Sequence, residues 1–193
     1  MESVLDRVIK QNTENVNLLK TKDYNIFSVL QIQSKEVLIC RMIADLLNPR
    51  GQHGAGAEYL KIFLRDCLGM EKMDTKLADQ AIVTAEYAID DERRIDIVIE
   101  IGSYFLPIEV KIYAADQKSQ CFDYYQYAKR RDAQAKVYYL TLDGHRPGKD
   151  STSSGNRSVT EEDIVCLSFR EHILNWLKAC KNCGNTGMIP ILE

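Results

Sequence analysis

The sequence predicts an α/β fold, a central mixed β-sheet flanked by helices and preceded by a helical N-terminal region. Three observations predict it. Aliphatic residues recur at helical spacing through much of the first 70 positions, three strand patterns follow one another between 81 and 112, and a helical pattern then alternates with two further strand patterns. With 45% hydrophobic and 27% charged residues, 193 residues can bury one sizeable core. The chain therefore reads as a single domain over 1–193, with a helical part at 1–70 and an αβ core at 81–180.

Over residues 3–20, Val4, Leu5, Val8, Ile9, Val16, Leu18 and Leu19 stand among polar positions, an amphipathic pattern with a break at Asn12-Thr13. A second helix is expected after Ser34, with Val37, Leu38, Met42 and Leu46 toward the core and an end before Asn48-Pro49. A third runs over 56–68 and is stopped by Gly69. Strands are expected at 81–88, 94–101 and 105–112, then a helix over 116–132 opened by Asp116 as an acidic cap. Val137 to Thr141 is β-branched and aromatic, hence a fourth strand. The stretch 143–163 turns to Gly, Ser, Thr and charge with no apolar period, so a long loop is expected. A short strand at 164–169 and a helix from 171 to about 179 complete the core.

The most informative stretch is RIDIVIEIGSYFLPIEVK, residues 94–111. Ile95, Ile97, Ile99 and Ile101 alternate with Asp96, Val98 and Glu100, which predicts one aliphatic and one acidic face. Ile108, Val110 and Ile112 alternate likewise with Glu109 and Lys111. If Gly102-Ser103 is a two-residue turn of the glycine-first type, Ile101 pairs with Tyr104 and Asp96 comes to lie opposite Glu109. Directly opposed carboxylates repel, and a divalent cation between them relieves the repulsion. Lys111 then projects beside that cation.

Composition narrows the function. A net charge of -3 provides no global attraction for nucleic acid, so any such contact must come from local clusters such as Arg93-Arg94 or Lys129-Arg130-Arg131, the second of which also reads as a solvated helix face. No signal-peptide pattern and no apolar run of membrane length occur, and six cysteines at 40, 67, 121, 166, 180 and 183 lack the spacing of a secreted disulfide scaffold. A cytoplasmic location is expected. Cys180-x-x-Cys183 is half of a zinc-ribbon or redox signature that no second pair completes. There is no phosphate-binding G-x-x-x-x-G-K-[ST] loop, G-x-S-x-G elbow or H-E-x-x-H, and with only three histidines triad chemistry is disfavoured.

Asp96, followed by Glu109-Val110-Lys111 with Pro107 just before, resembles the core of the PD-(D/E)XK nuclease superfamily. Gln120 and Tyr124, at i and i+4 on the expected helix, resemble its Q-x-x-x-Y element, with Gln117 and Tyr127 extending the stripe. Asn25-Ile26-Phe27, Glu36, Ala44 to Pro49, and His53-Gly54 resemble the N-terminal region of one bacterial branch that supplies a further helical acid. Leu140 to Gly144 and Ile173 to Leu177 extend the similarity over nearly the whole chain. The resemblance implies a restriction-endonuclease-like core that hydrolyses phosphodiesters in DNA, RNA remaining open, with magnesium or manganese as cofactor. Asp96, Glu109 and the Val110 carbonyl would be metal ligands, Glu36 an additional acid for a metal or through a water, and Lys111 the group that orients or deprotonates the attacking water. Gln120 and Tyr124 would hold Lys111 and the substrate phosphate, while His53 reads more simply as a loop cap.

Restriction, phage defence and repair all suit such an activity. The competing reading is a catalytically inactive nucleic-acid-binding or protein-interaction module, which the full set of motif residues disfavours. Cleavage of both strands would require a homodimer or two binding events. The ending Met188 to Glu193, with Pro190 at a first-turn position, looks like the entry to another helix, so additional domains are expected beyond it.

Overall fold

The computed structural model describes residues 35–71 and 73–183. The helix expected over 3–20, the Asn25-Ile26-Phe27 motif and the helix expected at 188–193 lie outside the described residues. The described residues from Glu36 to Cys183 belong to one compact unit.

Its sheet has five strands, β1 (Ile82–Ala88), β2 (Arg94–Ile101), β3 (Tyr104–Lys111), β4 (Val137–Thr141) and β7 (Ile164–Ser168), in the order β1-β2-β3-β4-β7. β1, β2 and β3 are antiparallel neighbours, whereas β3, β4 and β7 run parallel. This mixed sheet flanked by helices is the restriction-endonuclease-like α/β arrangement that the resemblance implied. Both faces of β3 are covered, which is why Phe105 through Lys111 are all buried.

On one face lie helices α1 (Glu36–Leu47), α2 (Glu58–Asp66) and α6 (Leu174–Lys181), with a one-turn α3 (Thr75–Ala78). Their core joins Ile43, Leu60, Phe63 and Trp176 to Ile97, Ile99, Ile101 and Val110 of the sheet. Trp176 donates its indole N–H to the Tyr59 carbonyl at 2.8 Å, tying α6 to α2. α1 buries Cys40, Ile43, Ala44, Leu46 and Leu47, whereas Val37 and Leu38 are 44% and 36% exposed, a correction to the expected core face. The apolar stripe begins one turn later because the first turn belongs to Glu36 and its partners, described below.

On the opposite face α4 (Gln120–Arg131) packs Tyr124 and Ala128 onto Ile95, Val98, Phe105 and Val137. Ile95 thus leaves the face of Ile97, Ile99 and Ile101 that simple alternation assigned it. The alternation breaks around Asp96, which pairs with neither neighbour strand while Tyr87↔Ile95 and Ile97↔Ile108 pair on either side of it. Glu86, the β1 residue at the same rung, has a φ of 53°.

Asp116 does not cap α4, as the sequence led us to expect; the N-cap is Ser119, in the left-handed conformation. Asp116 instead accepts the Tyr139 hydroxyl and the Gly148 amide, both at 2.7 Å. The expected loop over 143–163 is also structured, holding α5 (Lys149–Thr152), a small hairpin of β5 (Ser153–Ser154) and β6 (Arg157–Ser158), and a 3-10 turn at Glu161–Asp163. Elements of two to four residues are too short to impose a hydrophobic period. The segment docks on the start of α4, where the Ser119 hydroxyl donates to the Ser153 carbonyl and the Cys121 amide donates to Ser151 Oγ.

The Ala44 to Gly54 motif is a clasp between α1 and α2. Asp45 accepts from the Gln52 amide, Asn48 Oδ1 accepts from the Arg50 amide, and buried His53 accepts the Ala55 amide on Nδ1 while Nε2 meets the Asn48 carbonyl. A Cβ at Gly51 would stand 2.2 Å from the Asp45 carbonyl oxygen, so glycine is required there by space alone.

Removing the Asp116 carboxylate orphans both of its donors, so Asp116→Ala should cost about 1 to 3 kcal/mol of stability and raise amide exchange across Gly148–Ser154 selectively. Unchanged exchange there in hydrogen–deuterium mass spectrometry would refute this docking.

Candidate active site

The β2–β3 turn sets the register. Gly102 has a φ of 56°, the left-handed value that the first position of such a turn needs, and pairs run from Ile101↔Tyr104 to Ile97↔Ile108. One rung further, where Asp96 and Glu109 come opposite, the backbone ladder stops. Asp96 Oδ2 accepts the Val110 amide at 2.8 Å instead, so the aspartate side chain completes the edge that its own backbone leaves open.

Glu109 is 1% exposed. Burial, and then the Asp96 charge, push its carboxyl up to about 8, with Lys111 partly offsetting them. Asp96 is also raised by burial, against the opposing pull of the Val110 amide and Lys111. The Lys111 ammonium pairs with Glu109 Oε1 at 2.6 Å, whereas Oε2 is buried with no donor among the described residues. Burial alone would lower the lysine; Glu109 and Asp96 outweigh it, and its pKa is raised. Two close carboxylates that share a single ammonium, one of them fully buried, are only partly compensated, and a cation between them would relieve the rest.

Glu36 enters from the first turn of α1. Its Oε1 accepts the amides of Ile112, Tyr113 and Ala114 at 2.7, 2.9 and 3.0 Å, capping the chain as it leaves β3. Burial pushes its carboxyl up, but these amides and Lys111 prevail and hold it below the ordinary range. Among the described residues no three His, Cys, Asp or Glu side chains are grouped to hold a metal ion. Glu36 therefore shares the cleft with Asp96 and Glu109 without forming a three-residue cage, and Cys180, buried, and Cys183, exposed, form none either.

Gln120 and Tyr124 come from α4. Gln120 Nε2 donates to the Tyr124 hydroxyl at 3.0 Å, and that hydroxyl donates to the Arg94 carbonyl, strapping α4 to the start of β2. Burial pushes the phenol up, so it remains a donor. Gln120 Oε1 is buried without a partner among the described residues. Gln117 accepts from Arg93, whereas Tyr127 faces Tyr87 and Phe105, away from the site. Asp96, Glu109, Lys111, Gln120, Tyr124 and Glu36 line one cleft of about 380 Å³.

Sequence reasoning singled out Arg93-Arg94 as a basic cluster but missed the contacts that make Arg93 a wall of the cleft. Asp90 Oδ1 accepts the Glu92 and Arg93 amides, folding the β1–β2 turn, and Arg93 reaches Asp123 Oδ2 at 3.1 Å, Gln117 Oε1 at 2.9 Å and the Lys118 carbonyl at 2.6 Å. These partners lie 24 to 30 residues away, beyond any local pattern. The basic cluster on α4 is largely occupied internally: Lys129 pairs with Asp163, Arg131 with Glu100, and Arg130 sits over the Tyr127 ring.

A family profile described as the PD-(D/E)XK nuclease superfamily matches residues 24–188. No curated protein and no solved structure matches the chain significantly. Among the described residues no helix is long and apolar enough to cross a membrane.

The raised Glu109 carboxyl makes metal-free stability depend on pH in a definite direction. Its ordinary value is 4.5 and its folded value about 8, so the folded state binds the proton more tightly than the unfolded chain. That contribution is fully present below about pH 4.5 and lost as pH rises through about 8. In chelator, Glu109→Gln should therefore gain on the wild type across this window, by on the order of a few kcal/mol. Denaturation curves that stay parallel from pH 5 to 9 would contradict a Glu109 carboxyl raised by burial.

Proposed function

The chain belongs to the PD-(D/E)XK nuclease superfamily, and from that premise we propose that it is a magnesium-dependent nuclease hydrolysing phosphodiester bonds in DNA. The observation that carries this reading is that half-buried Asp96 and buried Glu109 meet beside Lys111 in one cleft, with Glu109 Oε2 facing no donor among the described residues. A divalent cation held there by Asp96 and Glu109, with the Val110 carbonyl, would supply Lewis acidity and neutralise charge on the phosphate. Oxygen donors suit magnesium, for which manganese can substitute, and two carboxylates leave room for waters and phosphate oxygens.

The chain's own residues do the rest. Asp96 is held by the Val110 amide, so its free oxygen is presented on a fixed strand. Lys111 keeps its proton because its neighbours raise its pKa, and serves as a charged donor that orients the attacking water and offsets negative charge in the transition state. Gln120 Oε1, unpartnered in the same cleft, is the acceptor open to Lys111 when Glu109 is otherwise engaged. Glu36 positions the segment leaving β3 through its three amides, with one oxygen left to act through a water. Tyr124 fixes α4 against β2.

The six residues of the resemblance occur together in one cleft, which favours catalysis over a binding module that keeps only the fold. We place the activity in the cytoplasm, in restriction, phage defence or repair, with double-strand cuts made by two protomers or two encounters.

Plasmid and oligonucleotide cleavage with magnesium, manganese or chelator tests the proposal. Asp96→Asn, Glu109→Gln and Lys111→Met should each lower cleavage by on the order of 100-fold or more while the proteins stay folded. Wild-type-like rates in all three would overturn it. Gln120→Ala and Tyr124→Phe should slow turnover by about tenfold yet leave binding of short duplexes in calcium nearly unchanged, since they position reacting groups. If Tyr124→Phe alters only the melting temperature, the hydroxyl is a structural strap and nothing more.

A further inference from the structure

The adjacent arginines Arg93 and Arg94 both line the cleft, yet they are committed differently. Arg93 spends its guanidinium on Asp123, Gln117 and the Lys118 carbonyl. Lys111, the third cation of the cleft, lies against Glu109. Arg94 is exposed, and its side chain has no hydrogen bond, ion pair or ring contact with the described residues. It stays uncommitted although Asp91 and Glu92 line the same cleft.

Its base is rigid. The Arg94 carbonyl accepts the Tyr124 hydroxyl, and its Cα pairs with Ala88 on β1, two positions before Asp96 on the same strand. A free guanidinium on a fixed stem, in a cleft otherwise dominated by carboxylates, matches a phosphodiester group, which it can grip with two parallel hydrogen bonds. The surrounding acids repel a polyanion, so one unneutralised cation determines where the strand can approach.

Resting on the nuclease reading of this cleft, we propose that Arg94 binds a backbone phosphate of the nucleic-acid strand next to the one cleaved, and that Arg93 is a positioning residue that does not touch substrate. Arg94 selects a phosphodiester backbone rather than a base, so it adds affinity without sequence preference.

The test is fluorescence anisotropy of single-stranded and duplex DNA oligonucleotides with the full chain in calcium, across a salt series. Arg94→Ala should weaken binding about tenfold and flatten the log–log salt dependence by about 0.7 to 0.9, one phosphate contact. Arg94→Lys should restore the slope and only part of the affinity, because it keeps the charge and loses the fork. Arg93→Ala should lower the melting temperature and leave the slope intact. A retained cation-induced melting shift in Arg94→Ala shows that the fold and the carboxylate pair survive. If wild type binds and cuts DNA while Arg94→Ala shows the wild-type slope and affinity, the assignment of Arg94 is wrong and the nuclease reading stands. If wild type neither binds nor cuts nucleic acid, both fall.

Discussion

Two carboxylates meet where strands β2 and β3 part, and one of them, Glu109, is buried with Lys111 against one oxygen and no donor among the described residues for the other. Left alone, such a pair opposes folding, because each charge is desolvated and faces the other. Its neighbours contain the conflict without removing it. The Val110 amide takes one oxygen of Asp96, Lys111 pairs with Glu109 at 2.6 Å, and Glu36 pins the three amides that follow β3. A cation would offset the remaining imbalance.

Holding this arrangement requires support from both faces of the sheet. α1 supplies Glu36 from one side while burying Cys40, Ile43 and Leu47, and α4 supplies Gln120 and Tyr124 from the other while burying Cys121, Phe122 and Ala128. Two straps fix α4: Tyr124 to the Arg94 carbonyl, and Arg93 to Asp123, Gln117 and Lys118. The ordered 143–163 segment braces the same helix start through Ser151 and Ser153. Pre-organisation of this kind allows charged groups to act without first reordering at each turnover.

Much of this was legible in the residues. Alternation and the Gly102-Ser103 turn predicted the strand register that brings Asp96 opposite Glu109, because a hairpin's register follows from its turn. What escaped was long-range or too short to have a period. Asp116 read as a helix cap because acidic residues before a helix usually are, yet a tyrosine on β4 and the Gly148 amide claim it. Ile95 departs from its expected face because alternation assumes an unbroken ladder, and the ladder breaks at the site itself. Glu36 was found only through resemblance, since a lone acid on an amphipathic helix carries no local sign of the amides it will meet.

Burial raises the Glu109 carboxyl to about 8, so a cation held by Asp96 and Glu109 would have to displace its proton at neutral pH. Calorimetric titration with manganese near pH 7, in buffers of different ionisation enthalpy, counts the protons released. Release of about one proton per cation is expected in the wild type, falling away near pH 9, and none from Glu109→Gln. Manganese binding at pH 7 without proton release would contradict it.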